Sequence, residues 1–259
     1  MAWVEILGND IHYVEAGAGL PLVFLHGMSS CAEAWWQQFE AFAHRYHVIA
    51  YDSVNHGHSS NSPRGEPEPD RTDELEAFLG ARGIRRPILA GNSMGGATIL
   101  RWAARHPKQA RALVVSGMGI ADAAAPAFRD VTALDPEVLF LPVGDALTDR
   151  LRSERPRMFE RYLRIRSTAT RLEYMREPRP RSARTVEETR QLPDKIREVT
   201  SSMLVIVGGL DRLVPATARL HDLVPHSEHV VIEGAPHNVY WEAAEPWNRA
   251  VFAFLDRVV

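Results

Sequence analysis

Cysteine is nearly missing from this chain. Cys31 is the only one among 259 residues, which excludes an intrachain disulfide and any cysteine-based metal cluster and leaves Cys31 as a small packing residue. Long apolar runs are missing too: no stretch approaches the roughly 20 residues that a membrane-spanning helix needs. The first residues, Met1-Ala2-Trp3-Val4-Glu5, have neither the basic start nor the apolar middle of a secretory signal. Neither charge is in large excess, since 30 Lys and Arg stand against 33 Asp and Glu. That balance supplies no electrostatic reason for a nucleic-acid partner or an anionic membrane. The expectation is a cytoplasmic protein of ordinary globular composition whose partner is a small-molecule substrate, with no nucleic acid and no membrane.

What is present is an alternation of short apolar runs and helical stretches. Residues 2–7 and 11–15 alternate apolar and polar around Gly8-Asn9-Asp10, which predicts a hairpin. Strands are predicted over 21–25, 47–51, 86–90, 110–116, 203–207 and 229–232. Helices are predicted over 32–45, 70–81, 97–106, 215–223 and 246–258. Parallel strands need crossover connections, so this order predicts an α/β fold, a mostly parallel sheet with helices on both faces. From Met118 to about Thr200 the strands stop, and helical, proline-containing and arginine-rich sequence takes over. The expected organisation is a core of residues 1–118 and 201–259, with a helical cap of residues 119–200 over one end of the sheet.

Ligands of such sheets bind beyond the carboxyl ends of the strands. His26, Asp52, Ser93, Asp211 and His237 all fall there. Ser93 is the centre of Gly91-Asn92-Ser93-Met94-Gly95, where an apolar strand turns abruptly into a helix. A serine on so sharp a turn is pushed outward, and small neighbours are needed where the backbones crowd. A serine hydroxyl is a poor nucleophile unless a base takes its proton and a third group orients that base. His237, on a turn after a strand, is the candidate base, and Asp211 the candidate orienter. Asp211 could instead cap the helix that begins near Pro215, and Asp122 is a weaker substitute for the acid. The backbone N–H groups of Met28 and Met94 are the candidate oxyanion donors.

Leu25-His26-Gly27, Asp52 with Gly57-His58-Ser59, the Gly91–Gly96 elbow, Gly209 to Pro215 and His237 to Glu242 resemble, in order and spacing, the α/β-hydrolase fold superfamily. The resemblance covers nearly the whole chain outside the insertion. It implies an eight-stranded core, a helical lid and a Ser-Asp-His triad that works without a cofactor. Serine at 93 disfavours the branches that use an aspartate nucleophile. Gly-Asn-Ser-Met-Gly-Gly is similar to the meta-cleavage-product hydrolases, which split carbon–carbon bonds in dienoates. Three departures stand out: Met28-Ser29-Ser30-Cys31 replaces a Gly-Pro-Gly loop, Asn238 stands where that group places tryptophan, and Asn55-His56-Gly57-His58 replaces a Pro-Gly or Arg-Gly-His-Gly segment. Hydrolysis of an ester or lactone is therefore the first expectation, carbon–carbon hydrolysis the second, and a receptor or lyase on the same fold the third.

Substrate contacts are expected from Asn92, Trp35, Trp241 and one or both of Arg161 and Arg164. The two arginines belong to a stretch whose alternative is a solvated face with local Arg–Glu pairs. Arginine forks suit carboxylates, whereas the sparse aromatics around them do not suit nucleic acid. For Trp35 and Trp241 core packing is the default, and a place at the pocket entrance is the sharper alternative. His26 is expected to hold loop backbone. His56 and His58 are expected to be hydrogen-bonded loop histidines, since no further metal ligands stand at a recognisable spacing.

Overall fold

A computed structural model describes residues 2–63, 66–67, 69–121, 146–169 and 181–259. Asp122 lies outside the described residues. One eight-stranded sheet forms the centre, with β1 Ala2–Ile6, β2 Asn9–Ala16, β3 Leu20–Leu25, β4 Tyr46–Tyr51, β5 Ile88–Asn92, β6 Ala112–Ser116, β7 Ser202–Gly208 and β8 Glu228–Ile232. Their spatial order is β1-β2-β4-β3-β5-β6-β7-β8. β2 pairs antiparallel with β1 and with β4, and the other five pairings are parallel. Every strand expected from the sequence is present, and the sheet is mostly parallel as expected.

The hairpin turn sits one residue earlier than the Gly8-Asn9-Asp10 signal suggests. Ile6 pairs with Asn9, and Leu7 and Gly8 both have positive φ (49° and 72°). Two consecutive positive-φ residues define the tight turn whose twist matches a hairpin, and the Asn9 side chain donates to the Leu7 carbonyl at 3.0 Å.

Around the sheet lie α1 Trp36–Phe42, α2 Arg71–Ala81, α3 Met94–Arg105, α4 Asp149–Glu154, α5 Pro156–Ala169, α6 Ala183–Lys195, α7 Val214–Leu223, α8 Val239–Glu242 and α9 Ala244–Val258. The single helix expected over 32–45 is split: Ala32–Trp35 is a tighter 3-10 turn that opens into the shorter α1. α2 starts where its sequence signal lies, because the Asp70 carboxylate accepts from the Thr72 and Asp73 N–H groups and satisfies donors that the helix itself cannot.

Apolar side chains fill both faces of the sheet. Trp35, Phe42, Trp241, Trp247 and Phe254 pack on one face with Leu22, Phe24 and Val48. Phe78, Ile99, Trp102 and Leu220 pack on the other with Val23, Ile49 and Leu89. Alternation along β3 and β4 sends successive residues to opposite layers, as the pleat requires.

Between β6 and β7 the described chain is helical. α4 is tied to α8 by Glu242, whose carboxylate accepts from the Thr148 N–H at 2.9 Å and from the Thr148 hydroxyl. Two backbone bonds join the same segment to the core, Asn238 N–H to Ala146 O at 3.1 Å and Gly57 N–H to Ala169 O at 2.6 Å. α6 takes a different place, against α2 and α3. There Glu188 accepts from Arg101 and Arg105, each at 2.8 Å. No helix among the described residues is long and apolar enough to cross a membrane.

Candidate active site

β5 runs two residues further than its apolar run suggests, to Asn92, and α3 begins at Met94. Only Ser93 separates them. Its φ of 52° and ψ of −112° belong to a region that a residue with a Cβ enters only under strain. The turn is braced by the Ser93 N–H donating to Ser116 O at 2.9 Å and by Ser93 O accepting from the Ala97 N–H at 2.9 Å. Crowding explains the flanking glycines. A Cβ on Gly95 would stand 2.2 Å from Leu25 O, and one on Gly91 would stand 2.7 Å from the Gly95 carbonyl carbon. Met94, as the first helical residue, belongs to the turn whose N–H groups have no intrahelical acceptor.

The loop after β3 lies alongside. A Cβ on Gly27 would sit 3.5 Å from the Ser93 Cβ, so Met28, the next residue, follows a close approach to the elbow; its side chain is exposed. His26 fixes this loop from below. Ser53 N–H donates to its Nε2 at 3.0 Å, so the proton is on Nδ1, which donates to Gly27 O at 2.8 Å. Burial keeps the imidazole below its usual pKa, consistent with the neutral form that this pairing requires. The expectation that His26 holds loop backbone is met.

Asp52 braces the same loop from the end of β4. Its carboxylate accepts from the Ala32 N–H at 2.7 Å, the His58 N–H at 2.9 Å and His12 Nδ1 at 2.8 Å. Burial raises the pKa of this carboxyl, but the bonds from His12, Ala32 and His58 outweigh it and hold the group below its ordinary value. His56 is buried, with Nδ1 donating to Val54 O at 3.1 Å, and burial pushes its pKa well down. The two loop histidines are hydrogen-bonded through ring or backbone. Among the described residues no three His, Cys, Asp or Glu side chains are grouped so as to hold a metal ion. Cys31 is buried, and desolvation pushes its thiol up to about 12, far from a reactive thiolate.

Asp211 and His237 come together from the loops after β7 and β8. His237 Nδ1 donates to Asp211 Oδ2 at 2.7 Å, and the Asp211 side chain is fully buried. The other carboxylate oxygen accepts from the Leu213 N–H at 2.9 Å, so one side chain both orients the imidazole and closes the turn before α7. Gly117, at the end of β6, ties His237 to the elbow. A Cβ there would stand 3.0 Å from Asn92 Oδ1 and 3.1 Å from His237 Cε1.

The expected substrate contacts are distributed unevenly. Asn92 is at the elbow, buried, and its Nδ2 donates to Asn238 Oδ1 at 3.1 Å. Trp35 is fully buried, 4.7 Å from the Phe24 ring and 4.2 Å from that of Tyr240. Trp241 is fully buried as well, edge-on to Tyr162 and Trp36. Both tryptophans stand in the core, which corrects their placement at a pocket rim. Arg161 lies over the Trp36 ring at 4.0 Å, and Arg164 is exposed, so neither is placed as the pocket-facing arginine expected on α5. Three residues that the sequence reading passed over face this region instead. Asn238 donates to the Tyr162 hydroxyl at 2.9 Å, and Arg166 donates to the same oxygen at 2.9 Å. Their one sequence signal was Asn238 replacing an expected tryptophan.

A strained serine between strand and helix, a histidine bonded to a buried aspartate and a loop whose Gly27 passes beside the serine define the protein class as a hydrolase-type α/β fold. The family model for the alpha/beta hydrolase fold matches residues 21–244, and the chain belongs to that family. It is 30% identical to a 2-hydroxy-6-oxononadienedioate/2-hydroxy-6-oxononatrienedioate hydrolase of Burkholderia vietnamiensis, over 95% of this chain and 91% of that one. A shorter match, 43% identical, covers 100 residues: 38% of this chain and 36% of a Mycobacterium phage D29 protein assigned by name to the non-heme haloperoxidases. In three dimensions it superposes on the enol-lactonase of Burkholderia xenovorans with a TM-score of 0.80 at 20% identity, over 98% of this chain and all of the other.

Proposed function

We propose that the protein is a serine hydrolase that cleaves a small carboxylic ester or lactone through an acyl-enzyme. The observation that carries this reading is the 2.7 Å bond between the buried Asp211 carboxylate and His237, which leaves Nε2 of the imidazole as the acceptor nitrogen. In this reading Ser93 Oγ attacks the substrate carbonyl while His237 takes its proton. The proton then goes to the departing alkoxide, and water, deprotonated by His237, releases the acid and frees the serine. Asp211 keeps the imidazole in the working tautomer and stabilises the imidazolium. The backbone N–H groups of Met28 and Met94 hold the oxyanion, a role that removing one donor typically weakens by ~10²–10³ in kcat. The cap comes from the 119–200 segment, with α5 as its described part bonded to Asn238 and α6 packed on the core instead, and the chemistry asks nothing of a cofactor.

Carbon–carbon hydrolysis of a dienoate is the second reading. It is favoured by the 30% identity to the Burkholderia vietnamiensis hydrolase and by Asn92 beside the nucleophile. The test is labelling by a fluorophosphonate probe, with turnover of 4-nitrophenyl acetate and of one dienoate meta-cleavage compound. Labelling that disappears in Ser93→Ala, with ester turnover, is the expected result. Folded protein that takes no label sinks the serine-hydrolase reading, and turnover of the dienoate alone would install the second.

A further inference from the structure

The residue next to the nucleophile and the residue next to the base are bonded to each other. Asn92 precedes Ser93, Asn238 follows His237, and Asn92 Nδ2 donates to Asn238 Oδ1 at 3.1 Å. Asn238 spends its own amide donor outward, on the Tyr162 hydroxyl of α5 at 2.9 Å. Arg166, one helical turn along, donates to that hydroxyl too at 2.9 Å, and the Trp241 ring meets Tyr162 edge-on with centroids 5.4 Å apart. A continuous polar path therefore runs from a helix between β6 and β7 to the elbow. Its two ends are buried, Asn92 1% and Tyr162 5% exposed, while Asn238 between them is half-buried, so water is a poor substitute at either end.

The inner end of the path is unusual. Asn92 Oδ1 is buried without a hydrogen-bond partner, an arrangement that costs free energy and persists only where other contacts hold the amide. That oxygen and His237 Cε1 both border the small space above Gly117 Cα, 3.0 and 3.1 Å from where a Cβ would be. The Asn92 amide nitrogen is committed to Asn238, which ties the orientation of one amide to that of the other. The Asn238 backbone N–H is fixed as well, on Ala146 O at 3.1 Å.

We propose that Asn238 and Tyr162 are positioning residues that couple the seating of α5 to the relative placement of Ser93 and His237. Docking of α5 completes the Tyr162–Asn238 bond, which orients Asn238 to fix the Asn92 amide, so the triad is in register only when the cap helix is in place. The path rests on the serine-hydrolase reading for its catalytic consequence, but not for its structural one.

The experiment is a double-mutant cycle in the full-length protein with Tyr162→Phe and Asn238→Ala, read by 4-nitrophenyl acetate kinetics and by hydrogen exchange. Each single variant is expected to lower kcat about five- to tenfold with KM changed less than about twofold. The double variant should be no slower than Asn238→Ala alone, because both changes cut one path. Losses that multiply overturn the proposal, since independent packing defects would give that result. Hydrogen exchange of residues 88–96 should quicken in Tyr162→Phe, although Tyr162 lies on another element. Unchanged exchange there would overturn the coupling even in a protein whose Ser93 takes no fluorophosphonate label, an outcome that would separately sink the hydrolase reading. Should Asn238→Ala fail to fold, Asn238→Ser takes its place in the cycle.

Discussion

α5 and α6 come from one arginine-rich stretch and do opposite things with it. α5 carries four arginines against one glutamate, in Pro156–Ala169. Its contacts toward the core are those of rings and neutral polar groups: Arg161 over Trp36, and Tyr162 with Asn238. α6 carries its own acids, and Glu188 is gripped by Arg101 and Arg105 of α3 while Arg105 also holds Asp73 and Glu76 of α2 at 2.6 and 3.0 Å. Asp70 adds the Thr185 hydroxyl and Arg101 to the same network. One helix is anchored by many strong, partly desolvated ion pairs away from the elbow. The other is seated by a few directional bonds that lead into it. An element that must stay put and one that must report on the site are built from different physics, even when composition makes them look alike.

The largest break in this contrast is Arg105→Ala. Its side chain is 14% exposed and it serves four carboxylates, those of Asp70, Asp73, Glu76 and Glu188, so removing it leaves several charges without their partner. A loss of about 3 kcal/mol in urea unfolding is expected, with kcat per folded molecule within twofold of the parent. A large fall in kcat would erase the distinction between the two helices.

Acid should act on the α6 network in the same direction. Burial raises the Glu188 pKa, but the bonds from Arg105 and Arg101 outweigh it and bring the carboxyl to about 2 from an ordinary 4.5; Asp70 is also held well below its usual range. Both folded-state values are depressed, so their stabilisation is fully present above pH ~4.5 and is lost as pH falls toward 2. Thermal melts across that window should fall more steeply in the parent than in Glu188→Gln. Parallel curves would remove the network from the acid response.

Smaller effects belong to α5. Arg161→Gln gives up a cation–π contact of about 0.5–1 kcal/mol and should lower Tm slightly, while the esterase kinetics stay as they are. If the loss of Arg161 raised KM for a carboxylate-bearing ester but not for its neutral counterpart, it would return to the substrate contacts. Arg164→Gln, at an exposed position, should change neither stability nor KM beyond ~0.5 kcal/mol, as equilibrium unfolding and ester kinetics can check.

The legible parts of the sequence were those governed by local rules. Period and length placed all eight strands, Asp70 marked the start of α2, and the crowded glycines marked the elbow, because a Cβ on Gly95 would collide with Leu25 O. Errors at the edges have the same local character: β5 could not be seen running through Gly91 and Asn92, since neither residue looks like a strand former. The side-chain contacts were less legible. Arg161, Arg164 and Arg166 share one composition, and only the orientation of α5 against Trp36, solvent and Tyr162 tells them apart. Trp35 and Trp241 have core packing as their default, and only their neighbours remove the rim alternative.

Taken alone, the sequence determined the α/β architecture, the order of its elements and the identity of the residues at the carboxyl ends of the strands, because backbone sterics and hydrophobic periodicity act over a few residues at a time. The tertiary structure decided which of those residues meet. The Asp211–His237 pair spans 26 positions, the Asn92–Asn238 bond 146 and the Arg105–Glu188 contact 83. Such contacts depend on how the sheet and its helices close on each other, and no local pattern in the chain encodes that distance.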